Sequence, residues 1–144
     1  LTGRAGFPRC IKIDYKDTSS GSRHERAANI VRGIDSGTLP TARITNYVLL
    51  ESLNWIHERQ RHDIAVDLKD RLSNSAGFEL VHSARKDFHR AVDRFEADEA
   101  LSFGDATIVA YMEREGIEYL YSFDDDFDTI EDVTRLETAH DPFE

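Results

Sequence analysis

Segments with strand-like and helix-like apolar patterns alternate along most of this 144-residue chain. The longer segments repeat their apolar residues at helical spacing, and the short segments between them are rich in β-branched and aromatic residues. Strands that are separated by helices pair in parallel through right-handed crossovers. The alternation therefore predicts an α/β fold, a three-layer α/β/α sandwich with a mainly parallel central sheet.

Apolar spacing, capping residues and glycine or proline stops define the predicted elements. The S-x-x-E pattern of Ser22 and Glu25 predicts the start of the first helix, and Gly116 predicts the end of another. Helices are predicted over 23–36, 46–60, 63–72, 104–115 and through Phe88 to Phe95; strands are predicted over 42–44, 78–82, 117–122 and 133–138.

The length and composition indicate one domain, over residues 1–144. Cys10 is the only cysteine, so an intrachain disulfide is excluded and a reducing cytoplasm is expected. The sequence contains no apolar stretch typical of a signal peptide or a membrane span, so we expect a soluble protein with no membrane partner. A net charge of −10 argues against a broad basic surface for nucleic acid. Local arginines or bound cations could still offset that charge at a site.

Three carboxylates occupy positions where the pattern expects apolar contacts or a strand end. Glu51 interrupts the apolar run NYVLLESLNWI, a helix that we expect to be buried nearly all round. Asp105 lies at the start of a predicted helix, on the helix face that should pack against the sheet. Asp124 follows the strand EYLYS. Each has an ordinary alternative: an ion pair or a partly exposed helix edge for Glu51, a helix N-cap for Asp105 and a solvated turn for Asp124.

A parallel α/β layout brings these three acids to one edge of the sheet, where such folds place their sites. Crowded carboxylates repel one another unless a cation neutralises them. The sequence has neither a pair of cysteines nor an H-x-x-x-H motif, and carboxylate oxygens favour Mg²⁺ or Mn²⁺ over Zn²⁺. The pattern therefore predicts a divalent-ion site.

Three stretches carry a resemblance to a known family: ITNYVLLESLNWI with Glu51, ALSFGDATIVAYMEREGI with Asp105, and LYSFDDDFDTIEDV with Ser122 and Asp124. Over about residues 22–138 the chain resembles the PIN domains, and among them the VapC-type toxins of toxin–antitoxin pairs. The resemblance implies an α/β/α endoribonuclease in which Glu51, Asp105 and Asp124 are catalytic and bind Mg²⁺ or Mn²⁺. It also implies an RNA substrate, a cognate antitoxin and a homodimer.

The resemblance also assigns parts to the remaining aspartates of the FDDDFD stretch. Asp126 is expected to supplement Asp124, whereas Asp125 and Asp128 are expected to be solvent-facing turn residues.

Residues 1–21 depart from the family pattern, which begins with an apolar strand that ends in an acid, followed by an apolar helix. Here CIKID ends in Asp14, the first acid and fourth metal ligand that the resemblance implies, and KDTSS supplies Asp17 as the other choice. The following YKDTSSGS is polar where the apolar helix should be. If neither acid serves, the alternative is a catalytically inactive PIN-like binding module. A receiver-like domain is a further alternative, although the expected late lysine near the last strand is missing.

Overall fold

A computed structural model describes residues 6–13 and 21–143, in which helices are layered on a β-sheet. The two predicted first acids, Asp14 and Asp17, lie outside the described residues. In chain order the elements are β1 (Arg9–Ile11), α1 (Gly21–Ser36), β2 (Ala42–Thr45), α2 (Asn46–Arg59), α3 (His62–Asn74), β3 (Phe78–Val81), α4 (Arg85–Ala97), α5 (Phe103–Glu115), β4 (Tyr119–Tyr121) and β5 (Thr134–Leu136).

The five strands pair in parallel in the order β3-β2-β1-β4-β5, so β1 lies in the centre of the sheet. All strands point the same way because helices or loops return the chain across the sheet between them. The carboxyl ends of β1 and β4 are therefore neighbours at one edge. The predicted three-layer α/β/α fold with a parallel sheet is confirmed.

Apolar side chains form one buried cluster on each face of the sheet. Successive residues of β1 alternate between them: Cys10 packs with α5, and Ile11 packs with α1. Ile30 and Ile34 of α1 are fully buried at helical spacing, as the apolar pattern of that helix predicts. The two clusters give the three layers their cores.

Helix α5 is buried all round from Asp105 to Met112, which the sequence had instead suggested for α2. In α2 only Val48 and Ile56 are buried, and Leu50 is 56% exposed. The expectation of a fully covered α2 is wrong because apolar composition does not tell how many neighbours a helix has. Helix α5 packs on α4, α2 and the sheet, whereas much of the outer face of α2 has no cover among the described residues.

Glycines with a left-handed backbone end two of the helices. Gly116 (φ 68°) follows α5 as predicted, and its N–H donates to the carbonyls of Met112 and Glu113. Gly37 (φ 85°) follows α1. A side chain at either position would be strained at this φ. None of the helices in the described part of the chain is both long and apolar enough to cross a membrane.

Candidate metal centre

The carboxyl ends of β1 and β4 and the first turn of α5 meet at one edge of the sheet. Lys12 directly follows β1, and its N–H donates to the carbonyl of Tyr121, the last residue of β4. Asp124 follows β4 by three residues, and Asp105 lies in the first turn of α5. This is the edge at which parallel α/β sheets place their functional sites.

Asp105 is the third residue of α5, and its side chain is only 2% exposed. Ser102 is the N-cap of this helix, because its Oγ accepts a hydrogen bond from the Asp105 N–H (3.1 Å). The alternative that Asp105 is the N-cap is therefore wrong. Its carboxylate Oδ1 accepts a hydrogen bond from Lys12 Nζ at 2.6 Å. A buried carboxylate needs such a partner, since an unpaired one would be strongly destabilising.

A tight turn after β4 holds the next two acids. Ser122 is buried, and its Oγ accepts a hydrogen bond from the Asp124 N–H (3.1 Å). The Asp124 carboxylate in turn accepts a hydrogen bond from the Asp126 N–H (3.0 Å) and caps a 3-10 helix over Asp125–Thr129. The Ser122 hydroxyl thus orients Asp124, and the cap folds Asp126 back beside it.

Asp105, Asp124 and Asp126 each offer a carboxylate oxygen, and these three oxygens lie within 4.8 Å of one another. Burial raises the pKa of Asp105, against the opposing effect of Lys12. The charge of Asp124 raises the pKa of the exposed Asp126. Crowding of like charges is thus the main cause for Asp126 and a smaller one for Asp105, and a cation at the cluster would oppose both shifts.

Glu51 approaches the same corner from α2. It is exposed rather than buried, which corrects the expectation drawn from its apolar neighbours. Its Oε1 would lie 2.5 Å from a Cβ added at Gly104, the residue before Asp105. Only a glycine lets this carboxylate come so close to the α5 backbone. Glu51 is therefore beside the first turn of α5, although it is not one of the three carboxylates whose oxygens cluster.

The other two aspartates of the turn are not members of the cluster. Asp125 is exposed, as expected. Asp128 is also exposed, but its carboxylate accepts two hydrogen bonds from the guanidinium of Arg135, at 2.9 and 3.0 Å, which lower its pKa. Asp125 is therefore an exposed turn residue, whereas Asp128 forms an ion pair with Arg135 that links the turn to β5.

Lys12 is the site residue that the sequence prediction did not include. Its signal is present in the sequence, because a lysine within the apolar run CIKI is costly to bury unless an acid faces it. Among the described residues, the cation that contacts Asp105 is therefore a lysine at the carboxyl end of the central strand.

The donor set fits a hard divalent cation. Asp105, Asp124 and Asp126 present only carboxylate oxygens, the ligand type that Mg²⁺ and Mn²⁺ prefer. The partial exposure of Asp124 and the exposure of Asp126 leave the cluster open to solvent and to a substrate.

A separate apolar groove of about 530 Å³ lies between the sheet and helices α1, α2 and α3. Ile11 and Ile44 contribute from the strands, and Leu49 and Leu72 line it from the helices. The ionisable side chains that line it, among the described residues, are His24, Arg32 and Arg71. No carboxylate is among these lining side chains. In a chain of net charge −10, this surface is locally suited to an apolar segment that carries acids.

Comparison with known structures finds the same fold in toxin–antitoxin proteins. The VapC20 toxin of Mycobacterium tuberculosis, which cleaves the sarcin–ricin loop, aligns with a TM-score of 0.69 at 23% identity over 86% of this chain and 96% of that one. The VapBC2 complex of Rickettsia felis bound to promoter DNA gives 0.63 at 14% identity, covering 88% and 97%. A toxin–antitoxin complex of Klebsiella pneumoniae gives 0.60 at 17% identity, covering 88% and 95%.

Comparison with curated protein sequences gives no significant match. The sequence does match the family model of the PIN domain over residues 15–133, a range that includes Glu51, Asp105, Asp124 and Asp126. That range spans α1 to β4 and ends one residue before β5, so it includes most of the fold described above. The chain belongs to the PIN-domain family.

Proposed function

We propose that this protein is a Mg²⁺- or Mn²⁺-dependent endoribonuclease that hydrolyses RNA phosphodiester bonds, as the toxin of a type II toxin–antitoxin pair. The observation that carries the proposal is the convergence of three carboxylate oxygens from Asp105, Asp124 and Asp126 within 4.8 Å at the carboxyl edge of the sheet. The PIN-domain match and the toxin–antitoxin structures of the same fold support it.

Asp105, Asp124 and Glu51 are the proposed catalytic and metal-holding residues, and Asp126 joins them as a further ligand. Asp14 is the proposed first acid and fourth metal ligand. When bound, the ion would supply positive charge to the scissile phosphate and lower the pKa of an attacking water. Ser102 and Ser122 fix the backbone positions of Asp105 and Asp124, so that both acids are oriented before substrate arrives.

The partner of the toxin would be an antitoxin segment, and the apolar groove between α1, α2 and α3 is its proposed binding surface. The groove has aliphatic walls and cations at Arg32 and Arg71, which suits an apolar segment that carries acidic residues. The solved structures with the same fold include toxin–antitoxin complexes from Klebsiella pneumoniae and Rickettsia felis, which agrees with such a partner. A homodimer in a reducing cytoplasm completes the proposal.

A second candidate is a PIN-like module without catalysis, and Lys12 is the observation that favours it. The family resemblance expects an acid at the end of the first strand, whereas the last described residues there include a lysine that contacts Asp105. A module that binds only a protein partner would tolerate this cation beside the acids.

RNA cleavage by the purified chain distinguishes the two candidates. We expect cleavage with Mn²⁺ or Mg²⁺ and none with EDTA, and loss of cleavage in Asp105→Asn and Asp124→Asn. Asp125→Asn is the matched control, because it removes one charge from the same turn at a residue outside the cluster. If folded protein with metal leaves single-stranded and structured RNA intact, the binding module is the better description.

A further inference from the structure

Lys12 places a positive charge against Asp105, one member of the acidic cluster. Its side chain is 10% exposed, and Nζ lies 2.6 Å from Asp105 Oδ1, a carboxylate that also belongs to the three-oxygen cluster. The backbone of Lys12 is fixed as well, because its N–H extends the β1–β4 pairing by donating to the Tyr121 carbonyl at 2.9 Å. The ammonium is therefore built into the site by the central strand of the sheet.

An ammonium at this position has two effects on a divalent ion. It already occupies one acceptor position of the Asp105 Oδ1, so an ion that binds this oxygen shares it or displaces the lysine. Its charge also repels a divalent ion over a few ångströms, and the burial of Lys12 and Asp105 reduces screening by water on that side of the cluster. Conversely, the same charge lets the three acids lie together when no ion is bound.

We propose that Lys12 is a positioning residue that provides one unit of the positive charge required by the acidic cluster, and that it thereby weakens divalent-ion binding at the site. The inference rests on the proposed function insofar as the cluster binds a divalent ion. In the metal-free protein, Lys12 holds Asp105 in its buried orientation. When a divalent ion binds, it replaces part of the contact between Lys12 and Asp105.

Mn²⁺ titration at fixed neutral pH, followed by calorimetry or by the electron paramagnetic resonance of free Mn²⁺, tests the proposal without an activity assay. Lys12→Met removes the charge and keeps an unbranched side chain of similar length. We expect it to bind Mn²⁺ about tenfold tighter than the wild type, since one nearby repulsive charge is lost. Lys12→Arg retains the charge and should bind within about twofold of the wild type.

Two further variants control for charge and for folding. Lys69→Met removes a lysine that pairs with Asp70 on the exposed surface of α3, so it reports the effect of changing the net charge alone. Its Mn²⁺ affinity should match that of the wild type. If Lys12→Met fails to fold, Lys12→Gln decides, because it retains a hydrogen-bond donor for Asp105 without the charge and should also tighten Mn²⁺ binding.

The outcomes separate this inference from the proposed function. If Lys12 only stabilises the fold, Lys12→Met will lower the melting temperature of metal-free protein but leave the Kd for Mn²⁺ unchanged, which overturns the inference and leaves the metal-dependent function standing. Weaker Mn²⁺ binding by Lys12→Met, with a higher Kd than the wild type, also overturns the inference. Binding by Lys12→Met but not by the wild type supports the inference in its strongest form. Absence of Mn²⁺ binding in every variant overturns both.

Discussion

At the scale of single residues, Cys10 is a built-in probe of unfolding. It lies in the central strand with 1% of its surface exposed, and burial raises the pKa of its thiol to about 12. Only the thiolate reacts readily with alkylating reagents. We expect the folded protein to resist iodoacetamide and the urea-unfolded protein to take up one label, measured by mass spectrometry. Rapid labelling without denaturant would contradict a buried, paired β1.

Gly104→Ala tests whether Glu51 acts at the first turn of α5. The new Cβ would lie 2.5 Å from Glu51 Oε1, so the flexible carboxylate has to move away. Alanine is the better helix former, so the free energy of unfolding should stay the same or rise by up to about 1 kcal/mol. We expect Mn²⁺ affinity and RNA cleavage to fall nonetheless, because the proposed ligand is displaced.

A double-variant cycle provides the control for this displacement. If Gly104→Ala acts through Glu51, adding it to Glu51→Ala will cause no further loss of Mn²⁺ affinity. Losses that simply add in the double variant would show that the glycine matters for another reason, such as the α5 backbone itself.

At the scale of elements, one buried acid contributes to the contact between α4 and α5. Asp87 is fully buried, accepts a hydrogen bond from the Ala84 N–H (2.9 Å) at the start of α4, and accepts another from Arg114 Nε of α5 (2.7 Å). Asp87→Ala leaves both donors without this partner. We expect the free energy of unfolding in urea to fall by about 3 kcal/mol.

Asp93→Ala is the matched control for the loss of Asp87. Asp93 lies on the exposed side of the same helix, so its removal should change stability by no more than about 0.5 kcal/mol. Equal effects of the two substitutions would mean that charge on α4 matters and that the Asp87–Arg114 pair does not.

The helices and strands were largely predictable because their signals are local. The apolar period of the helices and Gly116 after α5 are read directly from neighbouring residues, whereas Ser102, the N-cap of α5, is not part of the prediction. Coverage by other elements is not local, which is why the burial of α2 was overestimated and Glu51 was expected to be buried. The convergence of Asp105 with Asp124 followed from the order of parallel strands. The contact of Lys12 with Asp105 depends on side-chain direction at the end of β1, which the pattern does not give.

At the scale of the whole molecule, metal binding should stabilise the fold. An ion at a hundredfold excess over its Kd adds about 2.7 kcal/mol to the free energy of unfolding, and a domain of this size then melts several degrees higher. We expect Mn²⁺ to raise the melting temperature of the wild type and of Asp125→Asn by the same amount. Asp105→Asn should gain much less, and an undiminished gain would exclude Asp105 as a ligand.

The gain from Mn²⁺ should also depend on pH in a defined direction. Burial raises the pKa of Asp105 in the metal-free fold, so its contribution to metal-free stability is present at low pH and is lost as pH rises through that raised pKa. The ion requires the ionised carboxylate. The melting-temperature gain should therefore increase from about pH 4 to about pH 7, and a gain that is independent of pH would contradict this linkage.

The order of strands in the sheet also determines when β1 can pair fully and when the acidic cluster can assemble during synthesis. The central strand β1 is translated early, but one of its two neighbours is β4, which is followed directly by the turn that carries Asp124 and Asp126. Until residues through that turn have left the ribosome, one side of β1 stays unpaired and Asp105 lacks its companion acids. A nascent chain shorter than this cannot assemble the acidic cluster. Synthesis itself thus delays any activity of the site until nearly all of the described fold has been made.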